Sequence, residues 1–407
     1  MRILVGPAVV LLATAACSDP RATVELASEV RDSAGIRIVE NVRPPDGTRL
    51  GWQVDSVPLL SIGALEAEDP YLLHQVRDAT RLSDGRIVVA NRGSQELRVF
   101  GTSGVHLDTW GGEGEGPGEF NSLVAVAGWQ GDSVIAWYSQ RVRLSVFDRD
   151  GNFGRTMIPG DPGDGRDTPA EVSADGTILV SRSGPGGGTI GDGRRRGERL
   201  YDVANAEGVL TASMEASPGS ESYLSTSGNM MRMMTLPFFR SAHTAVWAGR
   251  FVVAPNDGYE IRAFGPNGAL DLVVRREHAL VVPTPAHLDA YIERQVTARP
   301  PGEQAERRRS LREQLADVPM PETFPAFDQI LADALGNLWI QEYDLPGQER
   351  PDPLWTVFDE EGRVLGFVET PSGLRIYEIG EDYILGRATD DLGVEYVQMW
   401  SLERTGG

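Results

Sequence analysis

An all-β fold built from repeated units is predicted for this chain of 407 residues. Three observations predict it. A tight turn followed by a short β-prone strand recurs six times, and a second turn that ends on glycine recurs in five of those units. The first turns begin at positions 84, 131, 175, 248, 335 and 380, so they are 47, 44, 73, 87 and 45 residues apart. Three of these spacings match the 40–50 residues typical of a four-stranded propeller blade.

The first strand pair of each unit is marked by a turn and by the residues after it. Asp84-Gly85 and Asp175-Gly176 are typical two-residue hairpin turns, because Asp and Gly accept positive φ at low cost. Val, Ile and aromatic residues, which fit a pleated and half-buried surface, follow each turn. The predicted strands are Ile87–Ala90, Val134–Trp137, Thr177–Val180, Phe251–Ala254, Leu338–Gln341 and Tyr383–Leu385.

The second turn of each unit is longer and closes on a glycine, which is typical of a hairpin that ends in a left-handed residue. The five copies are Gly101–Gly104, Asp148–Gly151, Asn205–Gly208, Gly265–Gly268 and Asp359–Gly362. The sixth unit lacks this turn and has only three predicted strands before the chain ends. We expect Trp52–Leu60 to supply its fourth strand, which would remove the open edges of the ring.

These observations predict a six-bladed β-propeller over residues 51–407, closed by an N-terminal outer strand. The two long spacings indicate insertions at about 182–198, 216–240 and 277–326. The last one has a helical pattern: Thr284 can cap a helix that begins at Pro285, and apolar residues then recur at helical spacing. We therefore expect a helical hairpin between blades four and five.

The first 16 residues are predicted to be a signal peptide, because a short apolar run follows Arg2 and is too short to span a bilayer. The only cysteine, Cys17, follows this run, so no intramolecular disulfide can form. Thr14-Ala15-Ala16-Cys17 resembles the lipobox of bacterial lipoproteins, which implies cleavage before Cys17 and lipidation of that residue. A plain secretory signal and a buried thiol are the alternatives. Residues 17–50 are predicted to be a polar tether.

The body of the chain also resembles a known family. Trp110-Gly-Gly-Glu-Gly-Glu-Gly-Pro-Gly-Glu-Phe120, which follows a Val-Phe strand end and a glycine turn, is similar to an NHL repeat. From Trp52 onward the chain resembles the six-bladed β-propeller lipoproteins of environmental bacteria. The resemblance implies the fold. Ser18, and not Asp, follows Cys17, which in the lipoprotein pattern is compatible with sorting to the outer membrane, so we expect an anchor there that faces the periplasm or the cell surface. The function of most members of this family is not characterised.

The chain's charge excludes some partners. The formal net charge is -21, which opposes binding to nucleic acids and to anionic lipid surfaces. We therefore expect contact with the membrane only through the lipid anchor, and we expect a monomer.

Candidate site residues lie where the predicted inner strands enter the central channel. They are His74, Asp78, Arg240, His243, Asp328 and Glu378. Carboxylates from several blades are suited to Ca²⁺ and histidines to Zn²⁺, so either ion is a candidate at the channel. The alternative is that each is a solvated rim residue. No HExxH motif, GxSxG elbow or other local catalytic pattern is present in the sequence, and no organic cofactor is predicted.

Two functions follow from this pattern. The first is an envelope-anchored binding or scaffold module that engages a protein, peptide or glycan on the channel face. The second is a metal-dependent propeller enzyme of the lyase or lactonase type that uses the channel residues as ligands. A purely structural spacer is a third reading of the same sequence.

Overall fold

A computed structural model describes residues 28–66, 68–138, 143–160, 167–184, 193–227, 230–234 and 237–405. Cys17 and the predicted signal peptide lie outside these ranges. The N-terminal strands are β1 (Ser28–Ser33), β2 (Ile36–Asn41), β3 (Trp52–Val54) and β4 (Leu60–Ile62).

The described residues after β4 form six sheets in chain order, and the first three hold fourteen strands. Sheet one contains β5 (Val76–Arg81), β6 (Ile87–Asn91), β7 (Glu96–Phe100) and β8 (His106–Gly111). Sheet two contains β9 (Leu123–Trp129), β10 (Ser133–Tyr138), β11 (Arg143–Phe147) and β12 (Phe153–Met157). Sheet three contains β13 (Thr168–Val172), β14 (Ile178–Ser183), β15 (Gly193–Ala204), β16 (Leu210–Ser213), β17 (Ser217–Ser227) and β18 (Met230–Met234).

The remaining strands and both helices complete the fold. Sheet four contains β19 (Ala242–Trp247), β20 (Arg250–Pro255), β21 (Glu260–Phe264) and β22 (Leu270–Arg276). Helices α1 (Pro285–Thr297) and α2 (Gln304–Leu315) follow. Sheet five contains β23 (Phe327–Ala332), β24 (Leu338–Glu342), β25 (Leu354–Phe358) and β26 (Val364–Glu369). Sheet six contains β27 (Arg375–Ile379), β28 (Tyr383–Thr389) and β29 (Glu395–Arg404).

The core consists of apolar layers between neighbouring sheets. Val88 of sheet one packs with Val134 of sheet two, and similar buried clusters join sheets two and three, three and four, four and five, and five and six. A sixth cluster joins Leu385 of sheet six to Ile87 of sheet one. Consecutive sheets that pack face to face around a common axis define a β-propeller arrangement. The all-β prediction is confirmed.

The N-terminal segment supplies outer strands at two places. Trp52–Val54 pairs with Leu402–Arg404, and Leu60–Ile62 pairs with Val397–Met399, so sheet six receives its outer strand from the predicted segment. Residues 28–41, however, are not a tether. They form the β1–β2 hairpin, and β2 pairs in parallel with β22 at the outer edge of sheet four. Val39 is fully buried there, which stabilises this docking.

Within the insertion predicted at 216–240, strands β17 and β18 form an extension of sheet three, and the described part of 182–198 belongs to the same sheet. The first half of β15 pairs with β17, which pairs with β18, whereas its second half pairs with β14 and β16. Helices α1 and α2 pack on this extension, because Ile292, Val296, Leu311 and Leu315 form a cluster with Tyr223 and Met234. We call the β17–β18 hairpin, residues 237–240 and the two helices the cap.

Candidate functional site

Four of the six predicted channel residues lie on the first strands of their sheets. Asp78 is on β5, His243 on β19, Asp328 on β23 and Glu378 on β27. The structure divides them between two places. Asp78 and Glu378 lie near the axis of the ring, whereas His243 and Asp328 line a cleft below the cap.

The axial group contains a carboxylate that sequence reasoning missed. Burial raises the pKa of Asp78 to about 8, although the N–H groups of Ala79 and Val126 donate to its oxygens, and the charges of Glu378 and Glu171 raise the pKa further. Burial also raises the pKa of Glu171, on β13, to about 7, against the hydrogen bond donated by Thr244 Oγ1 at 2.7 Å. These carboxyl groups therefore hold protons more tightly than free ones do.

Glu378 has a structural role at the junction of sheets six and one. Its Oε2 accepts hydrogen bonds from Thr80 Oγ1 at 2.7 Å and from the Arg81 N–H at 3.2 Å, and the Tyr383 hydroxyl donates to Oε1. Its oxygens are thus occupied by donors from two sheets. His74 belongs to neither group: its ring is exposed and lies within hydrogen-bond distance of the Gln75 amide, at 3.3 Å.

Arg240, predicted to lie at the channel, is held by carboxylates of its own chain. Its guanidinium donates to Glu221 Oε1 at 2.6 Å, and Glu221 is almost fully buried. Arg194 donates to the same oxygen at 2.9 Å, and Asp257 accepts from Arg196 Nη2 at 2.7 Å. Arg240 Nη1 also lies 3.3 Å from Asp257 Oδ1, so these arginines and carboxylates join β15 and the cap to sheet four. The basic triplet at 194–196 therefore binds acidic groups of its own chain through Arg194 and Arg196.

No metal site is assembled by the residues that the structure describes: nowhere do three or more His, Cys, Asp or Glu side chains lie close enough to ligate one ion. Of the carboxylates and histidines proposed as Ca²⁺ or Zn²⁺ ligands, Asp78 and Glu378 lie at the axis and His243 and Asp328 in the cleft. His74 lies at neither place. The donor set of the predicted metal-dependent enzyme is thus not brought together.

The cleft is formed by two adjoining cavities of about 350 and 510 Å³ that share His243, Asp328 and Gln341. Each of three sheets and the cap contributes part of its wall. The wall also includes Ser241 and Asn256 of sheet four, Glu342, Tyr343 and Asp344 of sheet five, Arg375 of sheet six, and Phe238, Phe239, Tyr291 and Arg294 of the cap. The cleft combines aromatic walls with several polar groups.

His243 is held as a neutral imidazole. Asn256 Oδ1 accepts from the Ser241 N–H at 2.7 Å, and this orients the Asn256 amide so that Nδ2 donates to His243 Nε2 at 3.3 Å. The Ser241 hydroxyl also lies 3.0 Å from Nε2. Because the Asn256 amide nitrogen can only donate, Nε2 is assigned as the acceptor and the ring proton to Nδ1. Burial lowers the pKa of His243 to about 4, so the ring stays uncharged at neutral pH. It presents one N–H donor and no charge.

Asp328 is the acidic group of the cleft. Water reaches its carboxylate through the cleft, but protein surrounds it on most sides, and this partial burial raises its pKa. The charge of Asp344 raises the pKa further, and Arg294 opposes both effects. Burial likewise raises the pKa of Tyr343, with the Asp328 charge as the second cause. Asp328 and Tyr343 are therefore close enough to act on one ligand together.

The remaining acidic groups of the cleft are neutralised. Asp344 pairs with Arg350 at 2.6 Å. Glu342 accepts from Arg276 Nη1 at 2.7 Å, and burial would raise its pKa, but the Arg276 charge and three hydrogen-bond donors lower it. Glu342 therefore stays ionised as part of the wall. Asp328 is left as the acidic group most accessible to a ligand.

Two of the cleft's functional groups were predicted from sequence, and the rest were not. His243 and Asp328 were found because they begin inner strands. Tyr343 and Asp344 directly follow the end of β24. A polar residue at the end of a strand is as good a sequence signal as one at its start, so these two residues could have been predicted. Tyr291 and Arg294 lie on α1 one turn apart, and only the packing of the helix shows that they face the cleft.

Comparison with known proteins yields structural likenesses only. No family model matches the chain, and no curated protein matches it. A candidate exported protein from Bacteroides fragilis is 11% identical, with 91% of this chain and 100% of that one covered and a TM-score of 0.48. A member of the DUF4221 family from Bacteroides vulgatus is 7% identical, with 87% and 99% covered and a TM-score of 0.46.

Virginiamycin B lyase from Staphylococcus aureus is 9% identical, with 86% of this chain and 99% of that one covered and a TM-score of 0.37. At these identities and TM-scores the comparisons say nothing about what this chain binds. Within the described ranges, neither helix has the length and apolar character needed to cross a bilayer.

Proposed function

We propose that this chain is an exported, lipid-anchored binding module, a closed six-bladed propeller that holds a peptide or glycan ligand in the cleft below its cap. The observation that carries the proposal is the cleft itself. Ligand sites in proteins are concave, with apolar or aromatic walls and a few well-placed polar groups, and this cleft has that composition.

The polar groups of the cleft suit a ligand rich in hydroxyl or amide groups. His243 offers an N–H donor, Asp328 offers acceptor oxygens, and Gln341 offers both. Phe239, Tyr291 and Tyr343 add flat apolar surface on the same cavity. Since most charges of the wall are paired within the protein, recognition rests on hydrogen bonds and ring contacts rather than on a strong net charge.

The rest of the proposal concerns where the protein acts. A signal peptide over residues 1–16 and lipidation at Cys17 would anchor the body in the cell envelope. The helices and the extension of sheet three, which form the cap, are then the insertions that distinguish this propeller from a plain ring. The net charge of -21 supports a partner other than nucleic acid.

An enzyme of the lyase or lactonase type is the second candidate, and one observation favours it. His243 has a lowered pKa and Asp328 a raised pKa, both line the same cleft, and side chains with perturbed pKa values cluster at active sites. In such an enzyme His243 and Asp328 would be the acid–base pair.

Binding is tested with the full chain carrying Cys17→Ala, screened against arrayed glycans and peptides. Asp328→Asn and Tyr343→Ala should each weaken capture of the bound compound at least tenfold, while Asp271→Asn, on an exposed position of β22, should not. Retained capture by both cleft variants, with unchanged melting temperatures, would contradict the proposal. Turnover of the captured compound that is lost in His243→Gln would instead establish the enzyme.

Anchoring has a separate test. The wild-type chain should sediment with membranes and its N-terminal peptide should carry acyl mass, whereas Cys17→Ala should appear in the soluble fraction. If the variant still sediments with membranes, Cys17 is not the anchor.

A further inference from the structure

One face of the protein combines the point at which the described chain begins with an exposed apolar run. Ser28, the first residue of β1, donates through Oγ to Asn41 Oδ1 at 2.7 Å. The carbonyl of Asn41 accepts from the Glu277 N–H at 2.9 Å. The first described residue is therefore fixed beside the segment that leaves β22.

That segment is Ala279-Leu-Val-Val282, and most of it faces water. Leu280 is 57% exposed and Val282 63% exposed, and neighbouring Val42 is 41% exposed. The run is held in place by its backbone, since the carbonyl of Val281 accepts from the Phe324 N–H at 2.8 Å. Fixed apolar surface of this kind, exposed among the residues that the structure describes, is typical of a contact site.

The distance to the anchor is short. Cys17 precedes Ser28 by 11 residues, and a fully extended chain spans at most about 3.6 Å per residue. Cys17 can therefore lie at most roughly 40 Å from Ser28. This is much shorter than the predicted tether of residues 17–50, because β1 and β2 are docked on sheet four. An acylated Cys17 therefore keeps the bilayer within reach of this face at all times.

We propose that Val42 and Ala279–Val282 form a membrane-facing edge that rests on the bilayer to which Cys17 is anchored. The inference rests on the lipidation proposed above. The occupant is a bilayer surface of neutral phospholipids, because the net charge of -21 disfavours anionic ones. The acyl chains supply the affinity, and the apolar edge fixes the orientation.

The proposal has a consequence for the cleft. Arg276, the last residue of β22, precedes the edge by three residues and binds Glu342 in the cleft wall. The edge and the cleft therefore lie at the same end of the sheets. The cleft would therefore bind its ligand close to the membrane surface rather than in bulk solution.

Site-directed fluorescence tests this orientation. Acylation consumes Cys17, so a single introduced cysteine is the only free thiol in the protein. Val282→Cys is labelled with a nitrobenzoxadiazole reporter, and the lipidated full chain is reconstituted in phosphatidylcholine vesicles that contain doxyl-labelled lipid. The control is Val105→Cys, which is 55% exposed in the turn between β7 and β8 of sheet one, three sheets away around the ring.

We expect the doxyl lipid to quench the reporter at position 282 and to leave the reporter at position 105 unquenched. Leu280→Ser in the labelled Val282→Cys chain should reduce the quenching. Equal quenching, or none, at the two positions in a chain whose N-terminal peptide carries acyl mass would overturn the membrane-facing edge alone. Absence of acyl mass would overturn the anchor and this inference together, while leaving the binding test of the cleft intact.

Discussion

Arg276 and Glu342 form a buried ion pair between sheets four and five, with Nη1–Oε1 and Nη2–Oε2 separations of 2.7 and 3.0 Å. The arginine side chain is fully buried and its guanidinium stacks on the Tyr259 ring, with 3.7 Å to the ring centroid. The pair holds the end of β24, which forms part of the cleft wall, against the end of β22, which is followed by Ala279–Val282. It joins two sheets where the main chain makes no hydrogen-bonded ladder.

Arg276→Met should destabilise the fold by about 3–5 kcal/mol, because it leaves the Glu342 charge buried without its partner. Urea unfolding measures the change. Adding Glu342→Leu should recover part of the loss, since the unpaired charge is then gone. Arg31→Ala, which removes an exposed pair with Glu40, is the control and should cost less than about 1 kcal/mol. Equal effects of the two single variants would contradict the role given to the buried pair.

The axial carboxyl group of Asp78 should make stability depend on pH. Its pKa is about 8 in the folded protein and 3.8 in the reference state, so the stabilisation from its proton is fully present below pH 4 and is lost as the pH rises through 8. Asp78→Asn cannot titrate. Between pH 5 and pH 9 the wild type should therefore lose at least about 1 kcal/mol more than the variant, since one pKa unit corresponds to about 1.4 kcal/mol.

Urea unfolding at the two pH values measures this difference. Asp108→Asn, at an exposed position of β8, is the matched control and should leave the slope of stability against pH unchanged. Parallel slopes for the wild type and Asp78→Asn would show that the axial carboxyl is not the group that titrates.

The cap should loosen when its ion pairs are removed. Arg240→Ala leaves Glu221 with Arg194 as its remaining guanidinium partner, and we expect a loss of about 1–3 kcal/mol, typical of a buried charged group that loses a hydrogen-bond partner. Amide exchange in Ser217–Ser227 should accelerate more than exchange in β20. Arg262→Ala, which removes an exposed pair with Glu260, serves as the control. Unchanged exchange in β17 would mean that packing against the helices, and not the ion pairs of Arg240, holds this strand in place.

Gly151 is required by the packing of sheet one on sheet two. A Cβ atom at this position would overlap the indole of Trp110, whereas a Cβ at Gly131 would meet no atom within 4 Å. Both glycines have positive φ, so Gly131→Ala should cost only the backbone strain, about 1–2 kcal/mol. Gly151→Ala should cost roughly 1–3 kcal/mol more, because the ring must move. Thermal unfolding of both variants measures the difference.

The repeated strands were predictable because their signal is local. Ile87, Val88, Val89 and Ala90 follow a two-residue turn, and all four are buried in β6. The same argument located the closing segment, because an incomplete sixth unit requires an outer strand. The prediction failed where a segment pairs with a strand that is far away in the sequence. Residues 28–41 fold only because β22, over 230 positions later, offers them an edge.

The candidate site was half predictable for the same reason. The order of the strands predicted that His243 and Asp328 lie at the channel. The ion pair of Arg240 could not be predicted, because its partner Glu221 lies on β17, a strand that no turn in the sequence indicates. The cap residues Phe239 and Tyr291 come from segments whose orientation depends on the packing of the helices against β17 and β18. Side chains supplied by insertions cannot be assigned to a surface from periodicity alone.

The pairing of the N-terminal strands has a consequence for the order in which the chain can fold. Trp52–Val54 finds its partner at Leu402–Arg404, and β2 finds its partner at Leu272–Arg276, so both pairings join segments that are far apart in sequence. Contacts of such long range form slowly. A chain that crosses a membrane N-terminus first exposes both of these segments before their partners have emerged. We therefore expect ring closure to be the last event of folding, after translocation is complete.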